Sequence, residues 1–378
     1  MRMRPVIALA AGGTGGHVFP AAAVAASLAT RGIVPVLFTD RRGTGFGGAV
    51  EVVRVHGAAI TGMGPIARAT GIARLALGFA GALVQLRRRR PDAVIGFGGY
   101  ASVPTVLAAS LLGIPTALHE QNAVLGRGNR LLAGRVRRIA TGFERIAGLS
   151  AKNAGKVVRV GMPVRPAFAG WTGEPYAAPA DDGPIRLLVL GGSQGAQVFS
   201  TLVPDALSRL APDLRARLAV TQQCRPETLE ATRAAYDRLA IAAELSSFFA
   251  DVPERLAKAH LVIARSGAST VAELAVVGRP AILVPYPYAT DDHQTANARA
   301  LAEAGAAWLM PQADLTAERL AERLSALLAD PPTLHGTACR ARELGIGDAA
   351  ERLADLALSL VRIADESYAA PLERRGAA

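Results

Sequence analysis

Short apolar runs rich in Val, Ile and Leu alternate along this chain with longer stretches where Ala, Leu and Arg recur at helical spacing. A continuous apolar run bounded by turn residues predicts a strand buried on both faces, and the longer amphipathic pattern predicts a covering helix. Val6-Ile7-Ala8-Leu9-Ala10 is the first such strand. A glycine loop follows, then a helix through Pro20–Thr30 closed by Gly32. Further strands are predicted at Val34–Thr39, 91–96 and 115–119. The pattern breaks at Gly161-Met162-Pro163-Val164-Arg165-Pro166 and in the Gly- and Pro-containing residues 170–184, which read as a linker.

The pattern then restarts. Ile185–Leu190 predicts a strand, Gly191-Gly192-Ser193-Gln194-Gly195-Ala196 a second glycine loop, and Val198–Leu210 a helix. Leu261–Ala264 and Ala281–Val284 predict strands, and residues 315–329 and 348–362 predict helices. Alternating β and α elements imply parallel sheets covered on both faces, so the expected fold class is α/β with two βαβ domains. The expected boundaries are 1–162 and 163–345, with a C-terminal helix at 346–362 packing back on the first domain. Residues 363–378 are expected to form a tail, frayed from about 366.

Composition narrows the class. Hydrophobic residues make up 51% of the 378 and charged residues 19%. Disordered chains show the opposite balance, so disorder is excluded. Two cysteines, Cys224 and Cys339, cannot build a disulfide framework or a zinc cluster. Residues 5–30 and 93–119 lack Asp, Glu, Lys and Arg. Glycines 12, 13, 15 and 16 interrupt the first, and Gly96, Gly98, Gly99, Pro104, Gly113 and Pro115 punctuate the second, so neither reads as a signal peptide or a membrane span. The net charge of +11 is unevenly spread: residues 1–160 hold 21 Lys and Arg against 5 Asp and Glu, and the remainder 21 against 26. A basic half calls for an anionic partner: nucleic acid, an anionic membrane or a phosphorylated substrate.

A glycine loop between strand and helix turns backbone N–H groups towards a phosphate. The dinucleotide fingerprint G-x-G-x-x-G fails in both loops, because its third glycine falls on Val18 in the first, and Ser193 or Gln194 occupies a required glycine in the second. A P-loop fails too: Gly155-Lys156 is followed by Val157, and Ser150 stands at the upstream glycine position. No Asp-x-Asp occurs, and Asp291-Asp292-His293 reads better as a helix start than as a metal site.

Six strings in order carry a resemblance. They are Gly12-Gly13-Thr14-Gly15-Gly16-His17-Val18-Phe19-Pro20, Gly98-Gly99-Tyr100, His119-Glu120-Gln121-Asn122, Gly191 to Ala196, Arg265-Ser266-Gly267-Ala268 with Thr270 and Glu273, and Asp291 with Gln294 and Asn297. The chain resembles the bacterial cell-wall N-acetylglucosamine transferases over about residues 5–360. The resemblance implies a GT-B architecture, two Rossmann-like domains facing across a cleft. It implies inverting transfer of GlcNAc from UDP-GlcNAc to the C4 hydroxyl of MurNAc in undecaprenyl-diphosphate-linked MurNAc-pentapeptide (lipid I), giving lipid II. It further implies no metal and no resident cofactor, UDP-GlcNAc being a co-substrate. The expected location is peripheral, on the cytoplasmic face of the inner membrane, with other cell-wall and division proteins as partners and no nucleic acid. A glycolipid transferase of the same fold with another lipid acceptor is the alternative.

By that resemblance the second domain holds the donor. Ser193 and Gln194 would meet the diphosphate or uridine, Ala268, Ser269 and Thr270 would aim N–H groups at phosphate, and Glu273 would accept the ribose hydroxyls. Arg165 would contact uridine or diphosphate, the Phe249 backbone the uracil, and Gln294 the GlcNAc hydroxyls, with Asn297 a cap or brace for the helix. Gly13, Thr14 and Gly15 would line a substrate loop, its helix N-terminus receiving the lipid-linked diphosphate. His17 and Glu120 are rival general bases, and Tyr100 and Asn122 are substrate contacts at the rim. Ile72, Leu75, Leu77, Phe79, Leu83 and Leu86 beside Arg87, Arg88, Arg89 and Arg90 predict an amphipathic helix on an anionic membrane. The chain departs from the family pattern at Met162 and at Thr221-Gln222-Gln223-Cys224, with Cys224 read as structural.

Overall fold

In a computed structural model the described residues are 4–12, 15–40, 50–56, 65–171, 174–192 and 195–373; within them, the side chains of 65–69, 72, 169 and 362–373 are left undescribed. The chain divides into two compact units, Met1–Arg165 with Asp348–Ala378, and Pro166–Gly347.

The first unit has strands β1 (Val6–Ala11), β2 (Val34–Thr39), β3 (Glu51–Arg54), β4 (Ala93–Gly96), β5 (Thr116–Glu120), β6 (Arg138–Thr141) and β7 (Val157–Arg159). They form one parallel sheet in the order β3-β2-β1-β4-β5-β6-β7. Its helices are α1 (Gly15–Thr30), α2 (Pro65–Arg89), α3 (Ser102–Leu111) and α4 (Arg127–Leu132). Strand alternation sends successive side chains to opposite faces. Ile7 and Leu9 therefore join one core with Val24 and Leu28 of α1, whereas Ala8 and Ala10 join another with Ala82 and Leu86 of α2 and Val106 of α3.

The second unit has β8 (Ile185–Leu190), β9 (Leu218–Gln223), β10 (Ala242–Ser246), β11 (Leu261–Ala264), β12 (Ala281–Leu283) and β13 (Trp308–Leu309). Their parallel order is β10-β9-β8-β11-β12-β13. The helices are α5 (Gln197–Ser208), α6 (Pro212–Ala216), α7 (Leu229–Arg238), α8 (Val252–Lys258), α9 (Ala268–Val277), α10 (His293–Glu303), α11 (Ala317–Leu328) and α12 (Pro331–Leu344). One core runs from Leu187 and Val189 of β8 to Phe199 and Val203 of α5 and Leu320 and Leu324 of α11.

The last helix, α13 (Ala349–Glu373), returns to the first unit, where Leu353, Ala357 and Leu360 enter the α1 core. Two expectations are corrected here. The first helix begins at Gly15 rather than Pro20, so Pro20 lies inside it. The last runs to Glu373 rather than ending at 362, because residues 363–370 contain no glycine or proline to stop the hydrogen-bond ladder.

Candidate functional site

In open parallel sheets, ligands bind beyond the carboxyl ends of the strands, where the strand order reverses. That point lies between β1 and β4 in the first unit and between β8 and β11 in the second. All the loops that carried the resemblance emerge at the carboxyl edges of the two sheets.

In the first unit the Gly12 N–H donates to the Gly98 carbonyl at 3.0 Å. The backbones meet so closely that a side chain begun at Gly99 would lie 2.8 Å from the Gly12 Cα, and Gly99 itself has φ +75°. Only glycine satisfies both conditions. The ring of His17, in the first turn of α1, fills the space above, 3.2 to 3.4 Å from where side chains at Gly98 and Gly99 would start. His17 and Tyr100 are half-buried, and Gly15 is exposed. Gly13 and Thr14 lie outside the described residues.

The end of β5 carries a buried polar network. His119 is fully buried and donates from Nε2 to the Gly161 carbonyl at 2.9 Å. A carbonyl only accepts, so Nδ1 is the bare nitrogen, and it accepts from Gln121 Nε2 at 3.3 Å. Burial holds the His119 pKa down to about 4, with the charge of His17 adding to the effect. Gln121 also donates to the Phe97 carbonyl at 2.7 Å. Glu120 is 2% exposed and spends both oxygens on its own loop. Oε1 accepts from the Asn122 backbone at 3.0 Å, and Oε2 accepts from the Gly126 N–H at 2.9 Å and Asn129 Nδ2 at 2.8 Å. Glu120 thus anchors the turn that starts α4, and Asn122 sits half-buried on that turn. Asn129 was not among the sequence candidates. It lies nine positions beyond Glu120 without a periodic signal, and only the fold of α4 returns it. Arg165 is half-buried at the end of the unit.

In the second unit a side chain begun at Gly191 would lie 2.3 Å from the Ala196 nitrogen, so the glycine loop closes tightly on itself. Ser193 and Gln194 fall outside the described residues. After β11, Gly267 caps α9 in extended geometry, and the half-buried Ala268, Ser269 and Thr270 form its first turn. Their N–H groups precede the intrahelical ladder. Glu273 stands one turn on, 7% exposed.

Two neighbours brace this turn. Ser266 donates from its hydroxyl to the Gln294 carbonyl at 2.8 Å, and Asn297 Nδ2 donates to the Ser266 carbonyl at 3.1 Å. Asn297 therefore braces the turn at Ser266. Gln294 Oε1 accepts from the Tyr286 N–H at 2.9 Å, so its amide group presents Nε2. Arg265, a buried cation, donates to the Val284 and Pro285 carbonyls at 3.2 and 2.9 Å and to Gln312 Oε1 at 2.6 Å. Burial lowers its pKa. Phe249 is buried at 6% exposure under the Arg255 guanidinium, 4.2 Å from its centroid. At the departing string, Gln222 is fully buried and accepts from the Tyr236 hydroxyl, and Cys224 is 1% exposed with its thiol pKa raised by burial. Met162 is 5% exposed.

The basic helix requires a correction. Phe79 packs against the sheet-facing core, as does Leu83, because Ala82 and Leu86 set the inward face of α2. Of the expected stripe Leu77 (64% exposed) does face outward, joined by Val84 (61%) seven positions on along the same face. Leu75 is half-buried, and the Ile72 side chain is outside the described residues. Arg87, Arg88 and Arg90 are exposed, whereas Arg89 pairs with Glu51 at 2.5 Å. No described helix is long and apolar enough to cross a membrane.

Two doubly wound units, each with a glycine turn and a helix N-terminus at its switch point, define a nucleotide- and phosphate-binding α/β protein. The chain belongs to glycosyltransferase family 28: residues 7–141 match its N-terminal domain and 186–353 its C-terminal domain. It is 57% identical over 361 residues to the UDP-N-acetylglucosamine–N-acetylmuramyl-(pentapeptide) pyrophosphoryl-undecaprenol N-acetylglucosamine transferase of Paramagnetospirillum magneticum, covering 95% of this chain and 97% of that one. The enzyme of the same name from Rhodospirillum rubrum is 58% identical over 353 residues, covering 93% and 90%. The crystal structure of Acinetobacter baumannii MurG superposes with a TM-score of 0.77 at 31% identity, covering 94% and 99%. The expected class, a UDP-sugar hexosyltransferase of α/β GT-B type, is met.

Proposed function

We infer that the chain moves GlcNAc from UDP-GlcNAc to the MurNAc C4 hydroxyl of lipid I, forming lipid II for the cell wall. The observation that carries this reading is the α9 turn. It offers unpaired N–H groups at 268–270 and a near-buried carboxylate, Glu273, one turn further on. The N–H groups suit a diphosphate and the carboxylate suits a ribose diol. Gln294, with Nε2 turned out by the Tyr286 tether, donates to a sugar hydroxyl.

His17 acts as the base. It lies at the first unit's switch point, and histidine is the side-chain type best suited to exchange a proton at physiological pH. Glu120 cannot take that role without releasing its loop, so it positions Asn122 and α4 instead. His17 takes the proton from the C4 hydroxyl, whose oxygen attacks the anomeric carbon from the face opposite the diphosphate. The sugar–phosphate bond breaks, UDP leaves with the bonding pair, and the configuration inverts. Helix N-termini meet the charge that develops on UDP, and no cation or cofactor is required.

The protein sits on the cytoplasmic face of the inner membrane through Leu77, Val84, Arg87 and Arg88 of α2, within reach of its lipid acceptor. The decisive experiment is transfer of labelled GlcNAc from UDP-GlcNAc to a lipid I analogue in excess EDTA. Product supports donor, acceptor and metal independence together. Tight UDP-GlcNAc binding without product would point to a different lipid acceptor.

A further inference from the structure

The segment between β12 and α10 carries an aromatic feature that none of these roles uses. Val284-Pro285-Tyr286-Pro287-Tyr288 leaves the carboxyl edge of the second sheet, where the strands of such folds present ligands. Two prolines in alternation with the tyrosines fix two of the backbone φ angles, which lowers the cost of holding the segment in one conformation.

The rings are held as well as exposed. Tyr286 and Tyr288 meet edge to face with centroids 5.5 Å apart. Tyr286 is pinned from behind, its N–H to Gln294 Oε1 at 2.9 Å and its ring beside the Arg265 guanidinium at 5.5 Å. Arg265 in turn holds the Val284 and Pro285 carbonyls. At the far end, Asp291 and Asp292 adopt φ +54° and +49°, a strained return that brings Gln294 back to Tyr286. The result is Tyr288, 81% exposed, set against Tyr286, which is itself tethered to the glutamine assigned to the donor sugar.

We propose that Tyr288, braced by Tyr286, is a stacking platform for the hexosamine ring of the nucleotide sugar. An aromatic face is electron-rich and the axial C–H groups of a pyranose are weakly positive, so the ring packs its apolar face on the tyrosine. Gln294 Nε2 addresses hydroxyls on the same sugar. The platform therefore selects for the ring, while the α9 turn holds the nucleotide. This rests on the reading of the second unit as the donor unit, and it adds a contact which that reading does not contain.

Calorimetry with UDP and with UDP-GlcNAc separates the two claims. Tyr288→Ala is expected to leave UDP affinity unchanged and to weaken UDP-GlcNAc by up to about tenfold, equivalent to about 1.4 kcal/mol. Tyr288→Trp is expected to restore it. Saturation transfer from the protein to the sugar C–H protons is expected in the wild type and reduced in Tyr288→Ala. Wild-type protein that binds both ligands, with Tyr288→Ala indistinguishable from it, overturns the platform alone. Wild-type protein that binds neither overturns the donor reading and the platform with it. If Tyr288→Ala lowers vesicle binding while UDP-GlcNAc affinity holds, the tyrosine is a membrane contact and the proposal fails.

Discussion

His119 donates from Nε2 to the Gly161 carbonyl at 2.9 Å, tying the end of β5 to the segment by which the chain leaves its first unit. The bond needs a neutral ring in the Nε2–H form, since Nδ1 must accept from Gln121. Burial lowers the pKa from 6.5 to about 4. The unfolded chain therefore takes up this proton before the folded one does. Stability from the neutral ring is complete above about pH 6.5 and is lost as pH falls towards 4, by up to about 3 kcal/mol. Thermal melts across this range should show the loss, and His119→Gln should flatten it.

Glu120 and His17 should separate kinetically. Glu120→Gln puts an amide where backbone and side-chain donors converge, and should lower stability by about 1–3 kcal/mol. His17→Ala removes a half-buried ring and should leave the melt nearly unchanged while kcat drops roughly 10²- to 10⁴-fold. Equal kcat losses with equal melts would count against the division of roles.

Glu273→Ala should raise the KM for UDP-GlcNAc and the Kd for UDP about tenfold or more, the cost of losing hydrogen bonds to a charged group. The readouts are steady-state kinetics and calorimetry with UDP. An unchanged UDP affinity would remove the ribose assignment.

The outward face of α2 makes a sharper forecast than its sequence did. Arg87→Ala with Arg88→Ala should weaken sedimentation with anionic vesicles by roughly tenfold or more, at about 1 kcal/mol per basic residue. Leu77→Asp should act in the same direction. Phe79→Ala should instead lower the melting temperature, because that ring packs on the core. Turnover on a water-soluble acceptor should be little affected by the arginine pair.

Gly12→Ala tests the stitching of β1 to β4. Its methyl would lie 2.8 Å from the Gly99 Cα, a backbone atom with little room to yield. A loss of roughly 1–3 kcal/mol or more is expected by chemical denaturation. Gly16→Ala, where nothing lies within 4 Å, serves as the control.

Much of the fold was legible because its strands are buried on both faces. Leu261–Ala264 reads as an unbroken apolar run and Ile185–Leu190 as one interrupted by Arg186 alone, and the structure has strands at those positions. The glycine strings placed the loops for a similar reason. A backbone packed against backbone, as at Gly12 and Gly99, leaves glycine as the residue that fits, so the constraint is written into the chain locally.

What the sequence left open depended on neighbours distant along the chain. His17 and Glu120 were equivalent as candidate bases until Gly126 and Asn129 were seen to occupy the carboxylate. Phe79 and Leu77 are equally apolar in a list, and only packing against Ala82, Leu86 and the sheet decides which faces out. Tyr288 carries no motif at all; its meaning comes from Gln294 reaching back to Tyr286. Burial pattern and backbone sterics are local properties, and a sequence determines them by itself. Which donor meets which acceptor, and which face of a helix meets water, is settled only when tertiary folding brings remote residues within hydrogen-bonding or packing distance.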